Sequence, residues 1–238
     1  MNLFYSVARR IPGIRRLYIE IINFRHRQEL KGKNAENIFT QIYKENRWAS
    51  NESLSGPGSA KQQTAAVVAS LPAVLSELGI RTMLDIPCGD FNWLKSVELR
   101  DVKYTGADIV DDLVAQNKKL YETDSVSFEK LDLLSDSLPK VDLVFCRDCL
   151  VHFSSADVKV ALKNIKTSGS TYLLTTNFVG HAENEDILTG QWRPLNLNTS
   201  PFDLPPPVKA ISEECTENDG EYSDKSLCLW RIDDLPVK

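Results

Sequence analysis

The sequence has no apolar run near the roughly 20 residues that a membrane-spanning helix needs, which argues against an integral membrane protein. It also lacks the G-x-G-x-x-G fingerprint of dinucleotide-binding folds, a phosphate loop, and the Tyr-x-x-x-Lys pair of common short-chain oxidoreductases. These absences disfavour nicotinamide oxidoreductases and proteins that hold nucleotide phosphates.

Cysteine is scarce, with five residues in 238, and the odd number argues against a disulfide framework. Cys146 and Cys149 form a C-x-x-C, but no second pair of cysteines or histidines stands at ligand spacing. We therefore predict reduced thiols in a cytoplasmic protein and no bound metal.

Positive charge is concentrated at the N-terminus. Residues 1–33 carry eight arginines and lysines against two glutamates, a net charge of +6. Because the whole chain has a net charge of −5, the remainder carries −11. Nucleic acid needs a basic groove along its phosphates, so an acidic body argues against a nucleic-acid partner. A small-molecule partner fits better.

The first 30 residues alternate apolar and basic side chains, which predicts a basic amphipathic segment interrupted near Pro12 and Gly13. Three interpretations stay open: a helix lying on an anionic membrane surface, a targeting segment, or a helix packed on its own domain or a partner. We assign residues 1–58 to this N-terminal helical segment and a lid, and residues 59–238 to one α/β domain.

From residue 59 onward, helical and strand patterns alternate. Strands are expected at 82–86, 104–109, 126–131, 141–146, 171–176 and 226–232, and helices at 59–78, after Asp90, at 112–121 and at 154–166. Ser59 with Gln62 and Ser154 with Asp157 have the spacing of helix-capping boxes. This alternation predicts a doubly wound, mostly parallel sheet with an N-terminal helical extension.

Acidic residues stand where the first three strands end: Asp85, Asp108 and Asp132. Ligands of such sheets bind at the carboxyl ends of the strands, where strand order reverses. Gly89 allows the backbone to approach a ligand, and an acid at Asp108 can accept hydrogen bonds from a ribose diol. The alternative for each acid is a local one, such as Asp85 capping the following turn.

The run from Leu84 to Asp90, followed by Asp108 and Asp132, resembles the cofactor half of class I S-adenosylmethionine-dependent methyltransferases. The resemblance covers about residues 60–178, and Pro87 and Phe91 stand where the family's first motif has flanking glycines. It implies S-adenosyl-L-methionine as cofactor. The implied contacts are Asp85, Pro87, Cys88, Gly89, Asp108, Ile109, Asp132, Leu133 and Arg147.

The fourth strand leads into Cys146-Arg-Asp-Cys-Leu-Val-His152, where this family usually places chemistry. The Asn/Asp-Pro-Pro-Tyr/Phe motif of nitrogen methylation is absent, so we predict O-methylation of a small molecule or glycan, with His152 or Asp148 as the base. For His152 the alternative is a hydrogen-bonding residue at a helix start. The acceptor and its lid are assigned to Trp48, Ser55, Ser59, Asn177, Trp192 and Arg193.

Two other functions stay open from the sequence. One is methylation of a protein side chain, which the same cofactor site would support. The other is a catalytically silent domain of this fold that binds a ligand or partner, with residues 1–30 as a membrane contact. The intact set of cofactor acids favours the enzyme.

Overall fold

The computed structural model describes residues 28–236, so most of the N-terminal amphipathic segment lies outside the described part of the chain. The chain divides into two units after residue 34, and the second, which the structure describes to residue 236, contains the sheet. No helix within residues 28–236 is long and apolar enough to cross a membrane. The boundary at residue 59 and the membrane contact stay predictions.

The second unit alternates helices and strands in the predicted order. Its helices are α1 (Ala35–Lys44), α2 (Lys61–Glu77), α3 (Asp111–Tyr121) and α4 (Ser155–Thr167). Its strands are β1 (Thr82–Asp85), β2 (Lys103–Asp108), β3 (Val126–Lys130), β4 (Leu143–Cys146), β5 (Tyr172–Phe178), β6 (Lys209–Ser212) and β7 (Lys225–Arg231).

The seven strands form one sheet in the order β3-β2-β1-β4-β5-β7-β6. The first five strands are parallel to one another, whereas β7 lies between β5 and β6 and runs antiparallel to both. Strand order reverses between β1 and β4, so the crevice that binds ligands in such folds lies at their carboxyl ends. The doubly wound, mostly parallel architecture is confirmed.

Apolar residues on both faces of the central strands explain why helices cover the sheet on two sides. Leu84 and Val144 pack in a cluster with α4, whereas Met83 and Leu143 pack in a second cluster with α2. Successive strand residues point to opposite faces, so a strand with no polar alternation must be covered on both. All of β4 is buried.

Several local predictions were wrong or incomplete. After Asp90 the chain makes only a three-residue 3₁₀ turn at Leu94–Ser96, since Phe91 takes a φ of 54° that interrupts a helix. Helix α2 begins at Lys61 with no side-chain cap, because Ser59 belongs to the preceding turn. The cap by Ser154, whose side chain accepts from the Asp157 N–H, is confirmed. Strand β6 was missed.

Candidate active site

A large pocket lies at the carboxyl edge of the sheet, beside the reversal point between β1 and β4. It encloses roughly 1040 Å³, part of it open to solvent, a size at the upper end for small-molecule sites. All but three of the sequence-predicted site residues line it: Trp48, Ser55, Ser59, Asp85, Pro87, Cys88, Gly89, Asp108, Ile109, Asp132, Leu133, Arg147, Asp148 and His152.

Asp85, at the end of β1, is buried at the floor of this pocket. The Tyr104 hydroxyl from β2 donates a 2.6 Å hydrogen bond to Asp85 Oδ2. Burial raises the pKa of Asp85 to about 8, although the hydrogen bond from Tyr104 opposes the rise. The carboxyl group is therefore mostly protonated at neutral pH and becomes ionised when a cation lies beside it.

Asp108 ends β2 and joins the two loops that follow β1 and β2. Its carboxylate accepts hydrogen bonds from the Gly89 N–H at 3.1 Å and from the Val110 N–H at 3.0 Å. Burial raises its pKa to about 6, with the two backbone donors opposing the rise. At neutral pH Asp108 is thus a buried carboxylate with lone pairs left for a diol.

Gly89 lies under the segment that closes the pocket. Its φ is 56°, and a Cβ at this position would lie 2.0 Å from the Ser55 hydroxyl oxygen. The neighbouring Asp90, which the sequence analysis missed, accepts from the Ser53 hydroxyl at 3.0 Å and the Leu54 N–H at 2.8 Å. Residues 53–55 are therefore fastened directly over the loop after β1, as a lid requires.

Asp132 begins a tight turn after β3 rather than projecting freely. Its carboxylate accepts from the Leu134 N–H at 2.8 Å and from the Ser135 hydroxyl at 3.0 Å. Leu133 is buried beside it, and Ile109 lines the same end of the pocket. This end combines apolar surface with one acid, which suits a planar heterocycle bearing an amino group.

One wall of the pocket includes Arg147 and Asp148, which form a group of four charged side chains with two buried residues that do not line the pocket, Glu213 and Lys225. Arg147 Nη2 lies 2.6 Å from Glu213 Oε2, and Arg147 Nη1 lies 3.1 Å from Asp148 Oδ2. Lys225 Nζ lies 2.7 Å from Asp148 Oδ2 and 3.4 Å from Glu213 Oε2. Arg147 also donates to the Gly58 carbonyl at 2.9 Å, which ties the group to the lid.

This wall changes the interpretation of Arg147 and Asp148. Although burial alone raises the pKa of Asp148, Arg147 and Lys225 lower it to about 2, so this carboxylate is a weak base. The guanidinium of Arg147 already binds two carboxylates and a carbonyl, which leaves little of it for a ligand. Glu213 and Lys225 were missed because they reach the site through the antiparallel β6–β7 return, which gives no local signal.

His152 lies in the 3₁₀ turn after β4, with its ring 5.3 Å from that of Trp48. Its Nδ1 is 3.0 Å from the Gln191 carbonyl oxygen, which assigns the proton to Nδ1 and leaves Nε2 as an acceptor. Burial lowers the pKa of His152, so the ring is neutral at neutral pH. A neutral imidazole with one unoccupied acceptor nitrogen can accept a proton from a substrate.

The other three predicted acceptor residues lie outside the pocket. The Asn177 amide is fully buried and bonds Asn198 and the Leu197 N–H, so it fixes a loop. Trp192 packs on Tyr222, at 5.0 Å between ring centroids, with 41% of its surface exposed. Arg193 is buried against backbone carbonyls. Helix α1 instead supplies Phe39 and Tyr43 to the pocket, which the sequence analysis missed.

Comparison with known proteins agrees with this geometry. A family model described as "Methyltransferase domain" matches residues 83–168. No curated protein matches the sequence.

Solved structures share the fold at low sequence identity. The chain is similar to human N-acetylserotonin methyltransferase in complex with SAM, at 15% identity and a TM-score of 0.57, covering 84% of this chain and 60% of that one. It is also similar to magnesium protoporphyrin IX methyltransferase from Synechocystis PCC 6803 with bound SAM, at 12% identity and a TM-score of 0.56, covering 84% and 98%. The chain thus spans under two thirds of the length of the human protein.

Proposed function

We propose that this chain is a class I S-adenosylmethionine-dependent methyltransferase, which transfers a methyl group to a hydroxyl of a small molecule or glycan. The observation that carries the proposal is the state of His152 in the pocket, where a neutral ring donates through Nδ1 and keeps Nε2 as an acceptor. Hydroxyl groups are poor nucleophiles until their proton is removed, and a base of this kind suits that task.

The pocket residues fit the cofactor from one end to the other. S-adenosyl-L-methionine supplies a methyl group already activated on a sulfonium. Asp132 and Leu133 suit its adenine, Asp108 suits the ribose diol, and the loop at Asp85 and Gly89 suits the cationic amino-acid end. The lid at residues 53–55 excludes water above this loop.

The residues that follow the fourth strand then act on the acceptor. His152 accepts the hydroxyl proton at Nε2, while the Gln191 carbonyl holds the ring through Nδ1. Asp148 stays ionised between Arg147 and Lys225 and favours the imidazolium that forms, so its role is electrostatic. The remaining task of the protein is to align the two reactants.

Isotope transfer tests the proposed reaction directly. The purified chain is incubated with methyl-labelled S-adenosylmethionine and three acceptor pools: hydroxylated small molecules, oligosaccharides and denatured protein. Label in either of the first two pools, stable to mild base as an ether is, supports the proposal. Label confined to the protein pool contradicts it and favours a protein side-chain methyltransferase, the alternative activity.

Substitution of Asp108 by alanine should weaken cofactor binding. Loss of hydrogen bonds to a charged acceptor costs about 1.5–3 kcal/mol, which is roughly a ten- to hundredfold higher Kd. Calorimetric titration with S-adenosylmethionine and S-adenosylhomocysteine measures it. Asp101→Ala is the matched control, since this exposed acid precedes β2 at the opposite edge of the sheet. An unchanged Kd in folded Asp108→Ala would remove the ribose assignment.

Cofactor affinity should rise with pH between about 6 and 8. Free Asp85 has a pKa of about 8, and a cation bound beside it lowers that value, so the complex holds fewer protons than the free protein. The dependence approaches about tenfold per pH unit for one released proton. Calorimetry in buffers of different ionisation enthalpy counts the proton, and Asp85→Asn should abolish its release between pH 7 and 8. Release that persists in Asp85→Asn would assign the proton to another group.

A further inference from the structure

The segment at residues 190–193 lies outside the pocket, yet it is hydrogen-bonded to the turn that carries His152. The Gly190 N–H donates to the His152 carbonyl at 2.8 Å, and the Arg193 N–H donates to the Val151 carbonyl at 3.1 Å. Between them, the Gln191 carbonyl faces His152 Nδ1 at 3.0 Å. This segment therefore sets both the backbone and the ring of His152.

Arg193 adds a side-chain contact to the same turn. Its Nη1 lies 3.2 Å from the Leu150 carbonyl oxygen and 3.2 Å from that of Val151. Both contacts come from one guanidinium nitrogen, whose two N–H groups are fixed in the guanidinium plane. A lysine ammonium lies on a shorter, flexible side chain with rotating N–H groups and does not hold this geometry. The two residues immediately before His152 are thereby fixed by one side chain.

The rest of the Arg193 guanidinium is unusual. The residue is only 3% exposed, and Nε and Nη2 have no hydrogen-bond partner in the described part of the chain. No carboxylate among residues 28–236 lies within ion-pair distance of it. The Asp186 and Glu185 carboxylates oppose its charge only at longer range, and burial of two guanidinium nitrogens without a hydrogen-bond partner costs stability.

We propose that Arg193 is a positioning residue of the active site, which fixes the turn that carries His152 and with it the orientation of the ring. The inference rests on the proposed role of His152 as the base. The bonds of Arg193 to two carbonyls hold the turn so that the ring lies against the Gln191 carbonyl. The positive charge of Arg193, which Asp186 and Glu185 oppose at longer range, also repels an imidazolium. This replaces the sequence-based assignment of Arg193 to the acceptor.

Other charges act on the same ring. Burial of His152 contributes most to lowering its pKa, while the Asp148 carboxylate raises it and the cations of Lys225 and Arg193 lower it. Lys225 is itself paired with Asp148 at 2.7 Å, so these two charges largely compensate each other. Arg193 has no direct ion pair within residues 28–236, only the longer-range attraction of Asp186 and Glu185, and its removal should therefore raise the pKa of His152.

The test follows the ring itself and needs no acceptor. The chain has three histidines, so ¹⁵N-histidine labelling gives three imidazole signals, and His152→Gln identifies the one at the site. In the wild-type protein we expect the Nδ1–H tautomer and a midpoint below that of an ordinary histidine. Arg193→Met should raise the midpoint. Arg193→Lys should keep the midpoint and give a mixture of tautomers, since the carbonyl contacts are lost.

Arg231→Met is the matched control, because Arg231 stacks on Tyr172 at the far edge of the sheet. A folded Arg193→Met with the wild-type midpoint and tautomer would overturn the proposal. Should that variant fail to fold, Arg193→Lys decides, with an unchanged tautomer counting against the proposal. Methyl transfer that survives His152→Gln would instead refute the assignment of His152 as the base. The midpoint and tautomer of the His152 ring would still show whether Arg193 positions that ring.

Discussion

Substitution of Glu213 by glutamine is expected to lower the free energy of unfolding by about 3–5 kcal/mol, the usual cost of removing one partner from a buried ion pair. Glu213 is 2% exposed, and its Oε2 contacts Arg147 at 2.6 Å and Lys225 at 3.4 Å. The change keeps the shape of the side chain but leaves two buried cations with Asp148 alone. The glutamine amide could also place its own N–H groups opposite the N–H groups of Arg147 and Lys225, where no hydrogen bond can form.

Urea unfolding of the two proteins measures the difference. The adjacent Glu214 is exposed, so Glu214→Gln removes the same charge without disturbing the wall and should cost under about 0.5 kcal/mol. If the two variants were equally stable, the four side chains would not form a cooperative group. Arg147→Met, which removes a cation, should be less harmful in the Glu213→Gln background than alone, and the difference measures their coupling.

The same wall shows where sequence reasoning stops. Asp85, Asp108 and Asp132 were predictable because each stands at the end of its own strand, and parallel strands bring their carboxyl ends to one edge. Glu213 directly follows β6 and Lys225 begins β7, and no local sequence pattern predicts that these two strands pair antiparallel. Strand β6 itself is four residues long and only half-buried, so it carries almost no hydrophobic pattern.

The acceptor side was harder to predict for a second reason. Asn177, Trp192 and Arg193, in the long connection after β5, were assigned to the acceptor and its lid, but polar side chains of this connection mostly bind its own backbone. The Asn177 and Asn184 side chains, for example, hold the turn around Asn196 and Leu197. Part of the aromatic surface of the pocket comes instead from α1, through Phe39 and Tyr43, and this helix precedes the recognised motifs.

Substitution of His152 by glutamine is expected to lower the methyl-transfer rate by about 10²–10⁴-fold, the range for loss of a general base. Glutamine keeps a polar side chain of similar size near the Gln191 carbonyl but supplies no basic nitrogen. The Kd for S-adenosylmethionine should stay within about threefold, because the cofactor contacts are assigned to other strand ends. The rate is measured with the acceptor found by isotope transfer, and the Kd by calorimetry.

The pH dependence of the rate should separate His152 from its neighbour Asp148. Only the unprotonated imidazole accepts a proton, so the rate of the wild-type protein should fall at pH values below the lowered pKa of His152 and level off above it. That acid limb should vanish in His152→Gln. If the rate of His152→Gln fell only near pH 2, the base would be Asp148, whose pKa is about 2.

The control for His152 is His181→Gln, since His181 pairs with Asp224 outside the pocket and should leave the rate unchanged. A wild-type rate in His152→Gln would mean that the acceptor loses its proton without this ring, as an acidic phenol could. Asp148 would not then be the substitute, because Arg147 and Lys225 stabilise its carboxylate and leave it little affinity for a proton. We therefore propose His152, rather than Asp148, as the base for an aliphatic hydroxyl.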